Sequence, residues 1–211
     1  QEAAALFAVG APQVLAELGM GSALAGAQAK LLATLPEGLR EHARSLSGVA
    51  VLSRVPLTIV VGQDAYGLAA NIVSDNYFDV LGVHPAVGRF FEAGRDTGRA
   101  AEPSIVLSHA TWMSRFHGDP GIVGRTIPVN GRPYLVIGVT PPAFRGVFTP
   151  LKIDAWVPLA TQPHVHPQRD LADQPWLWAF GRLQDGIEAS TARSELAALA
   201  AGWSGGGGDQ F

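Results

Sequence analysis

The spacing of apolar residues changes near residue 49, where helical periodicity gives way to runs of β-branched residues. Upstream, apolar residues recur at helical spacing after Pro36, which predicts a helix over 36–44. Residues 1–34 are rich in alanine and glycine, and their pattern assigns no definite element. Downstream, Pro56 interrupts the β-branched run 49–61, so we expect two short strands there. The chain therefore changes from helical to sheet-forming character.

Two short helices are indicated by the residues that would cap them. Ser74 is a good N-cap for a helix over 75–81, and Gly82 suits the left-handed residue that ends it. Ser108 begins a second helix, which ends at Gly118 before an Asp-Pro pair. The aromatic residues expected in the core are Tyr77, Phe78, Trp112, Phe116, Tyr134 and Trp156.

The clearest local signal is the pair Asn130-Gly131 between the apolar runs 126–129 and 132–139. Both residues suit the positive φ angles of a type I′ turn, so we predict a tight β-hairpin. Further strands are predicted at 68–73, 104–107, 155–159 and 176–183, a turn at 62–64, and an amphipathic helix at 188–203. Alternating strands and helices together with this antiparallel hairpin predict an α+β fold with mixed sheets and β-α-β units.

Composition and charge exclude several classes of partner and site. The 15 basic residues are scattered among 18 acidic ones, the formal net charge is −3, and we expect no nucleic-acid partner. The chain contains no cysteine, which excludes disulfides, thiolate metal sites and a cysteine nucleophile. A chain that starts at Gln1 and ends in the Gly-rich segment 204–211 is expected to be a piece of a longer protein with a flexible tail.

The pair His164 and His166 is the main candidate for metal chemistry, with Asp170 and Asp173 close behind it. Prolines on both sides of the pair indicate a loop, where solvated histidines are the commoner outcome. No other histidine stands at a short fixed interval from them. We therefore predict that the pair binds no metal.

No pattern in the sequence indicates catalysis or nucleotide binding. Both the G-x-S-x-G elbow of serine hydrolases and the G-x-x-x-x-G-K-[ST] phosphate loop are absent. Arg89 and Arg125 follow glycine-containing turns and are expected to clamp a carboxylate or backbone carbonyls in structural roles. Solvated or capping roles are expected for the acidic residues Asp75, Asp79, Asp96, Asp154 and Glu188. We predict no enzyme and no catalytic, cofactor-binding or metal-binding residue.

Several linked motifs occur in a fixed order over roughly half of the chain. They are SLSGVA at 45–50, VSDNYFDVLGV at 73–83, PAVGRFF at 85–91, IVLS at 105–108, GDP at 118–120, VGR at 123–125, IGVTPP at 137–142 and DAWVPL at 154–159. In residue type and order they resemble the periplasmic core domain of MacB-like ABC transporter permeases, a family that includes macrolide and lipoprotein exporters. The glycines and aromatic residues of these motifs are typical of a scaffold.

The resemblance implies a fold of two lobes: a larger, porter-like lobe from 1–100 and 161–203, and a smaller inserted lobe at 101–160. In the family this domain lies outside the cytoplasmic membrane, between the first and second transmembrane helices of a four-helix permease. The ATP chemistry of such transporters lies in another domain. The resemblance therefore implies a periplasmic location, tethered to the cytoplasmic membrane in the parent protein.

The function implied is mechanical: coupling the movement of transmembrane helices to export or release of a substrate outside the membrane. The partners implied are a second permease copy, the transmembrane helices of the parent protein and its ATP-binding subunit, with a periplasmic adaptor protein as a further candidate. The alternative is an extracytoplasmic substrate- or partner-binding module with an apolar groove. A third interpretation is a metal hydrolase built on the histidine pair.

Overall fold

Strands predominate in the computed structural model, which describes residues 4–7, 46–96, 101–147, 151–167, 178–188, 190, 191 and 194. The strands are β1 (Ala4–Phe7), β2 (Leu46–Val61), β3 (Asp64–Val73), β4 (Val87–Gly88), β5 (Ser104–Leu107), β6 (Thr126–Val129), β7 (Arg132–Val139), β8 (Ala155–Pro158) and β9 (Trp178–Leu183). The helices are α1 (Tyr77–Leu81), α2 (His109–Phe116) and α3 (Gln162–Val165), with 3-10 turns at Pro120–Ile122 and Leu159–Thr161.

The described strands pair into one mixed sheet in the order β1-β9-β2-β3-β8-β5-β7-β4, and β6 pairs with both β2 and β7. Two pairs are parallel, β3 with β8 and β5 with β7, while the others are antiparallel. Because α2 lies between the parallel strands β5 and β7 along the chain, these elements form a β-α-β unit. The mixed sheet and its few helices agree with the predicted α+β class.

The pairings join β2, β3, β8, β5, β7 and β6 into a closed ring. β6 pairs with β7 along its whole length and with β2 at Ile59–Val129. Asn130 completes this junction, because its Oδ1 accepts a hydrogen bond from the Thr58 amide at 2.8 Å. Its own amide donates to the Thr58 carbonyl at 2.8 Å. The ring therefore resembles a small barrel, in which pairing on both sides removes free strand edges.

Side chains alternate between apolar clusters on the two faces of the sheet, as the period of two in a strand requires. In β8, Ala155 and Val157 pack in the first cluster while Trp156 points into the second. The second cluster contains most of the buried aromatic side chains in the described part of the chain, and we call it the aromatic cluster: Tyr77, Phe78, Phe90, Phe91, Trp156 and Phe180. Phe78 stacks on Phe90 at a centroid distance of 3.8 Å. The predicted core aromatics are buried, except that Trp112 is only partly buried.

The predicted hairpin is confirmed as β6 and β7 joined by Asn130 and Gly131. Both turn residues have positive φ, 48° at Asn130 and 75° at Gly131, as a type I′ turn requires. The other predicted strands are also present: the strand at 104–107 has the predicted ends, and each of those at 68–73, 155–159 and 176–183 has one end shifted by one to four residues. β3 is the longest extension, because it begins at Asp64 rather than at Leu68.

The prediction of two short strands around Pro56 is wrong, since β2 is one strand of 16 residues. Pro56 lies between Leu52, the last residue paired with β9, and Ile59, which pairs with β6. The Ser74 amide donates a hydrogen bond to the Val51 carbonyl, so the backbone N–H and C=O groups of odd-numbered residues in β2 point towards β3. The backbone groups of Pro56, an even-numbered residue, point to the opposite side of β2. On that side, no described strand pairs with β2 at position 56. Proline is tolerated there because its missing N–H leaves no hydrogen bond between described strands unmade.

One of the two predicted helix caps is wrong. The residue at the N-cap of α1 is Asn76, not Ser74, and its side chain makes no capping hydrogen bond. Ser74 Oγ instead accepts a hydrogen bond from the Val51 amide at 3.0 Å. The Ser74 side chain is thus occupied by the neighbouring strand rather than by the helix. Gly82 ends α1 with φ of 65°, as predicted, and Ser108 caps α2 by accepting from the Thr111 amide at 3.1 Å.

Some predictions are left untested by the described residues. The predicted helix at 36–44 lies outside the described residues, as does all of 188–203 except 188, 190, 191 and 194. The strands of 101–160 pair with β2, β3 and β4, so the sheet runs through both predicted lobes. The division into a larger and a smaller lobe stays a prediction. In the part of the chain described, no helix has the length and apolar character needed to cross a membrane.

Candidate functional site

An open groove of about 520 Å³ lies beside α1 and the segment that follows it, and we call it the Asp75 groove. Its polar lining is Asp75, Asn76, Asp79, His84, Arg89 and Glu92. Its apolar lining includes Val83, Pro85, Phe90 and Phe91, the last two from the aromatic cluster. The groove therefore combines carboxylates with an apolar wall.

Two glycines let the wall of the groove lie directly against β7. Gly88 has a φ of 74°, and a Cβ there would overlap the Ile137 carbonyl oxygen. At Gly138, a Cβ would overlap the Arg89 carbonyl oxygen. The Arg89 amide donates to the Ile137 carbonyl at 2.9 Å, so backbone meets backbone without intervening side chains. The glycines thus fix the position of the groove wall on the sheet.

Asp75 is the most buried acidic residue of the groove, with 4% of its surface exposed. Its Oδ1 accepts a hydrogen bond from the Asn76 amide at 2.8 Å, whereas Oδ2 is buried and makes no hydrogen bond within the described residues. Burial raises the pKa of Asp75, because removal from water disfavours the charged carboxylate. Hydrogen bonds from backbone amides oppose this rise in pKa, and the charge of Asp79 adds to it.

The expected solvated or capping role of Asp75 is therefore wrong. The turn between β3 and α1 packs against β2, where Ser74 bonds to Val51 and the Asn76 side chain donates to the Val49 carbonyl at 2.8 Å. These contacts draw Asp75 out of the solvent. One feature of the sequence indicates that the Asp75 and Asp79 side chains lie near each other. They are four positions apart, the spacing that brings side chains together on a helical segment.

Arg89 clamps the Asp96 carboxylate with two hydrogen bonds, at 2.6 Å and 3.1 Å, as the sequence predicted for a structural arginine. Asp96 is 4% exposed and also accepts from the Glu92 amide and the Ser104 hydroxyl. Burial acts to raise the pKa of Asp96, but these hydrogen bonds outweigh it and hold the pKa below its ordinary value. Asp96 is thus buried in a salt bridge, which corrects the expectation of a solvated role, because Arg89 compensates the cost of burial.

Two of the other charged candidates, Arg125 and Asp154, also have structural partners. Arg125 bonds the Asp119 carboxylate at 2.9 Å on the exposed surface. Asp154 Oδ2 accepts the Ala69 amide at 2.9 Å, which ties the segment before β8 to β3. Asp79 and Glu188 are exposed, in agreement with the solvated role expected for them.

A buried polar group that the sequence patterns did not indicate lies within the aromatic cluster. Tyr77 and Trp156 are fully buried, and so is Asn71 on β3. The Trp156 indole nitrogen and the Asn71 side chain lie close to the Tyr77 hydroxyl, but none of these polar atoms has a partner with full hydrogen-bond geometry within the described residues. Burial raises the pKa of Tyr77 to about 12. The hydroxyl therefore stays protonated at neutral pH and is no candidate for a general base.

His164 lies on the single turn of α3, not in the predicted loop, whereas His166 is the residue that follows the helix. Pro163 occupies the first turn of α3, a position that proline accepts because the amide there has no helical partner. Burial lowers the pKa of His164, since the charged imidazolium loses hydration. Asp170 and Asp173 lie outside the described residues. Within the part that is described, no three His, Cys, Asp or Glu side chains are placed to hold a metal ion. That the pair binds no metal stays a prediction.

Comparison with known proteins places these features in a family. The sequence model of the MacB-like periplasmic core domain matches residues 3–199. A macrolide export ATP-binding/permease protein, MacB, from Rhodopseudomonas palustris (strain BisB18) is 33% identical over 117 residues. That match covers 55% of this chain but only 18% of the relative, so the chain corresponds to a small part of the longer protein.

Two crystal structures share the fold at low sequence identity. The periplasmic region of MacB from Actinobacillus actinomycetemcomitans aligns with a TM-score of 0.60 and 18% identity, over 84% of this chain and 73% of that one. The extracellular domain of YknZ, a noncanonic ABC-type transporter from Gram-positive bacteria, aligns with a TM-score of 0.57 and 16% identity, over 95% and 93% of the two chains. At these identities the alignments establish similarity of fold alone.

Proposed function

The chain belongs to the family of MacB-like periplasmic core domains, and we propose that it couples the movement of transmembrane helices in an ABC transporter permease to export or release of a substrate. In this role the domain is periplasmic and makes or breaks no bond. Its proposed partners are a second permease copy, the transmembrane helices and ATP-binding part of the parent protein, and a periplasmic adaptor protein. The two predicted lobes, 1–100 with 161–203 and 101–160, belong to the same proposal.

The pairing of β1 with β9 is the observation that carries this proposal. Ala4 pairs with Arg182 and Phe7 with Ala179, so early and late parts of the chain lie side by side. β9 then pairs with β2, which connects this edge to the rest of the sheet. In a domain inserted between two transmembrane helices, both helices would act on the same edge of the sheet.

The closed ring of strands supports transmission of such movement through the domain. Every strand of the ring is hydrogen-bonded to at least two others, and both faces of the sheet are covered by packed apolar clusters. Close-packed interiors transmit displacement because they have few voids to absorb it. The ring would therefore move largely as one body when its edge is displaced.

Flexible insertions in the parent transporter test coupling directly. We would insert about ten Gly and Ser residues at each junction between this domain and its flanking membrane helices, which gives about 17 Å of slack. A mechanical coupler then loses most of its export, because helix movement no longer displaces the sheet. Export and ATP hydrolysis are measured separately in proteoliposomes, and we expect hydrolysis to continue.

A matched control carries the same insertion between Gly62 and Gln63, the exposed turn of the β2–β3 hairpin. This insertion leaves both junctions unchanged, so export should persist. Undiminished export with the junction insertions would exclude mechanical coupling. It would favour the alternative, a tethered binding module that needs only to stay near the membrane.

A further inference from the structure

The chain contains three asparagines, and Asn130 differs from the other two in its exposure and in the residue that follows it. Asn71 is fully buried and precedes isoleucine, whereas Asn76 is half-buried and precedes tyrosine. Asn130 is exposed and precedes Gly131, where a Cβ would meet nothing within 4 Å. Of the backbone nitrogens that follow an asparagine in this chain, that of Gly131 is therefore the least shielded.

An exposed asparagine followed by glycine permits spontaneous deamidation, which contributes to the thermal lability of asparagine and consumes only water. The Gly131 nitrogen attacks Cγ of Asn130 and loses its proton, a C–N bond forms between them, and the side-chain nitrogen leaves as ammonia. The product is a five-membered succinimide ring. Water then opens the ring at either carbonyl carbon and leaves aspartate or isoaspartate at position 130. In isoaspartate the main chain runs through Cβ and Cγ, so it gains a methylene group.

The closed ring of strands holds Asn130 in a conformation that does not react. Its Oδ1 accepts a hydrogen bond from the Thr58 amide at 2.8 Å, and its own amide donates to the Thr58 carbonyl at 2.8 Å. A planar succinimide requires Cβ of Asn130 and the Gly131 nitrogen to be nearly eclipsed about the Cα–C bond. The type I′ turn, with a φ of 48° at Asn130, does not place them so. Reaction therefore requires the turn to distort and the contacts with Thr58 to break.

We propose that Asn130 is a deamidation site that reacts only while its contact with Thr58 is open, and that isoaspartate formation then keeps the contact open. The longer main chain no longer fits a two-residue hairpin turn, and the oxygen that accepted from Thr58 is displaced. The modification thus removes a contact that closes the ring of strands. It goes beyond mechanical coupling and does not depend on it.

Peptide mapping by mass spectrometry of the folded chain, incubated at mildly alkaline pH, tests the site. We expect Asn130 to gain the mass that replacement of NH₂ by OH adds, before Asn71 or Asn76 changes. A synthetic peptide of residues 126–136 is the unrestrained reference. It should react at least about tenfold faster, because no hydrogen bonds to Thr58 have to break first. Equal rates in the chain and the peptide would overturn the proposal, as would earlier deamidation at Asn71 or Asn76.

Thr58→Pro removes the amide hydrogen that Thr58 donates to Asn130 and spares the pairing of β2 with β3, because even-numbered backbone groups of β2 point away from β3. It should speed deamidation about fivefold relative to the parent chain, the factor that loss of one typical hydrogen bond gives. The matched control Arg54→Pro places proline at another exposed, even-numbered position, where no described strand pairs, and should leave the rate unchanged. Equal rates in the two variants would overturn control of the reaction by Thr58. If either variant does not fold, the comparison of the parent chain with the peptide decides the proposal.

The consequence for the ring of strands is tested on the isoaspartate form, which ion exchange separates from the parent chain by its additional negative charge. Asp185, which also precedes a glycine, can isomerise by the same route, but it loses and regains water and so changes neither mass nor charge. Hydrogen exchange of the Thr58 amide, followed by NMR, should be faster in the isoaspartate form than in the parent chain. The matched control Asn130→Asp keeps the length of the main chain and an acceptor oxygen, so it should retain the protection. Retained protection in the isoaspartate form would overturn opening of the contact, and an equal loss in Asn130→Asp would overturn its attribution to the longer main chain.

Discussion

Gly138 has no room for a side chain, because a Cβ there would overlap the Arg89 carbonyl oxygen across the groove wall. Gly138→Ala should therefore force the backbone of β4 and β7 apart. Overpacking of this kind costs about 1–3 kcal/mol of unfolding free energy. The measurement is the midpoint of urea denaturation, analysed with the slope held to that of the parent chain.

Gly67 provides the matched control, because it also lies in a strand but is exposed, and a Cβ there would meet nothing within 4 Å. Gly67→Ala should leave the midpoint unchanged or raise it slightly, since alanine reduces the freedom of the unfolded chain. Equal midpoints for Gly138→Ala and Gly67→Ala would show that the groove wall lies farther from β7 than described.

Sequence patterns identified some of the decisive residues and missed others for physical reasons. Gly82 and Gly131 were predicted because the ends of helices and hairpins impose positive φ, which is a local requirement. The need for glycine at Gly138 comes from a segment about 50 residues away in the chain. Asp75 was expected in a solvated or capping role because its burial depends on contacts with β2, which no local pattern encodes.

The β6–β7 hairpin offers a test at its turn. Gly131 has a φ of 75° with open space around its α-carbon, so only backbone strain opposes a side chain there. Gly131→Val should cost more than about 1 kcal/mol of unfolding free energy, because a β-branched residue is strained at positive φ. Disturbing the turn should also weaken the Asn130 contact that closes the ring at Thr58.

Urea denaturation of Gly131→Val is compared with Gly67→Val, in which valine enters an exposed strand position at ordinary φ. Valine favours strands, so the control should keep or raise the midpoint. An unchanged midpoint for Gly131→Val would mean that this turn does not hold type I′ geometry in solution.

The predicted elements failed where a neighbouring strand replaced the interaction that the local pattern suggested. Pro56 was expected to break a strand, but its backbone nitrogen points to the side of β2 where no described strand pairs at that position. Ser74 was expected to cap a helix, but its hydroxyl is used by Val51. The histidine pair was expected in a loop because prolines flank it, yet proline is compatible with the first turn of α3, and His164 lies in that helix.

The arrangement of the whole sheet was only partly accessible from the sequence. Local patterns gave most strands and the mixed character of the sheet, and linked motifs gave the family. Closure of the ring at Ile59–Val129 and the pairing of β1 with β9 join residues far apart in the chain. Such pairings depend on how the elements pack in three dimensions, so periodicity and turn residues alone do not determine them.

The free chain should be monomeric at micromolar concentration. In the proposed permease, two copies of the domain are held together by transmembrane helices and ATP-binding parts, and tethering supplies a high effective concentration. The free chain lacks that tether and carries a formal net charge of −3. Its remaining self-contacts should bury less than about 1,200 Å², in the range of transient interfaces. Sedimentation equilibrium at about 10 μM should give the mass of one chain, 22.1 kDa. A dimer with a dissociation constant well below that concentration would stay associated and would be detected. A stable dimer would mean that the domain has a large interface of its own, and it would favour a self-sufficient binding protein over a coupler.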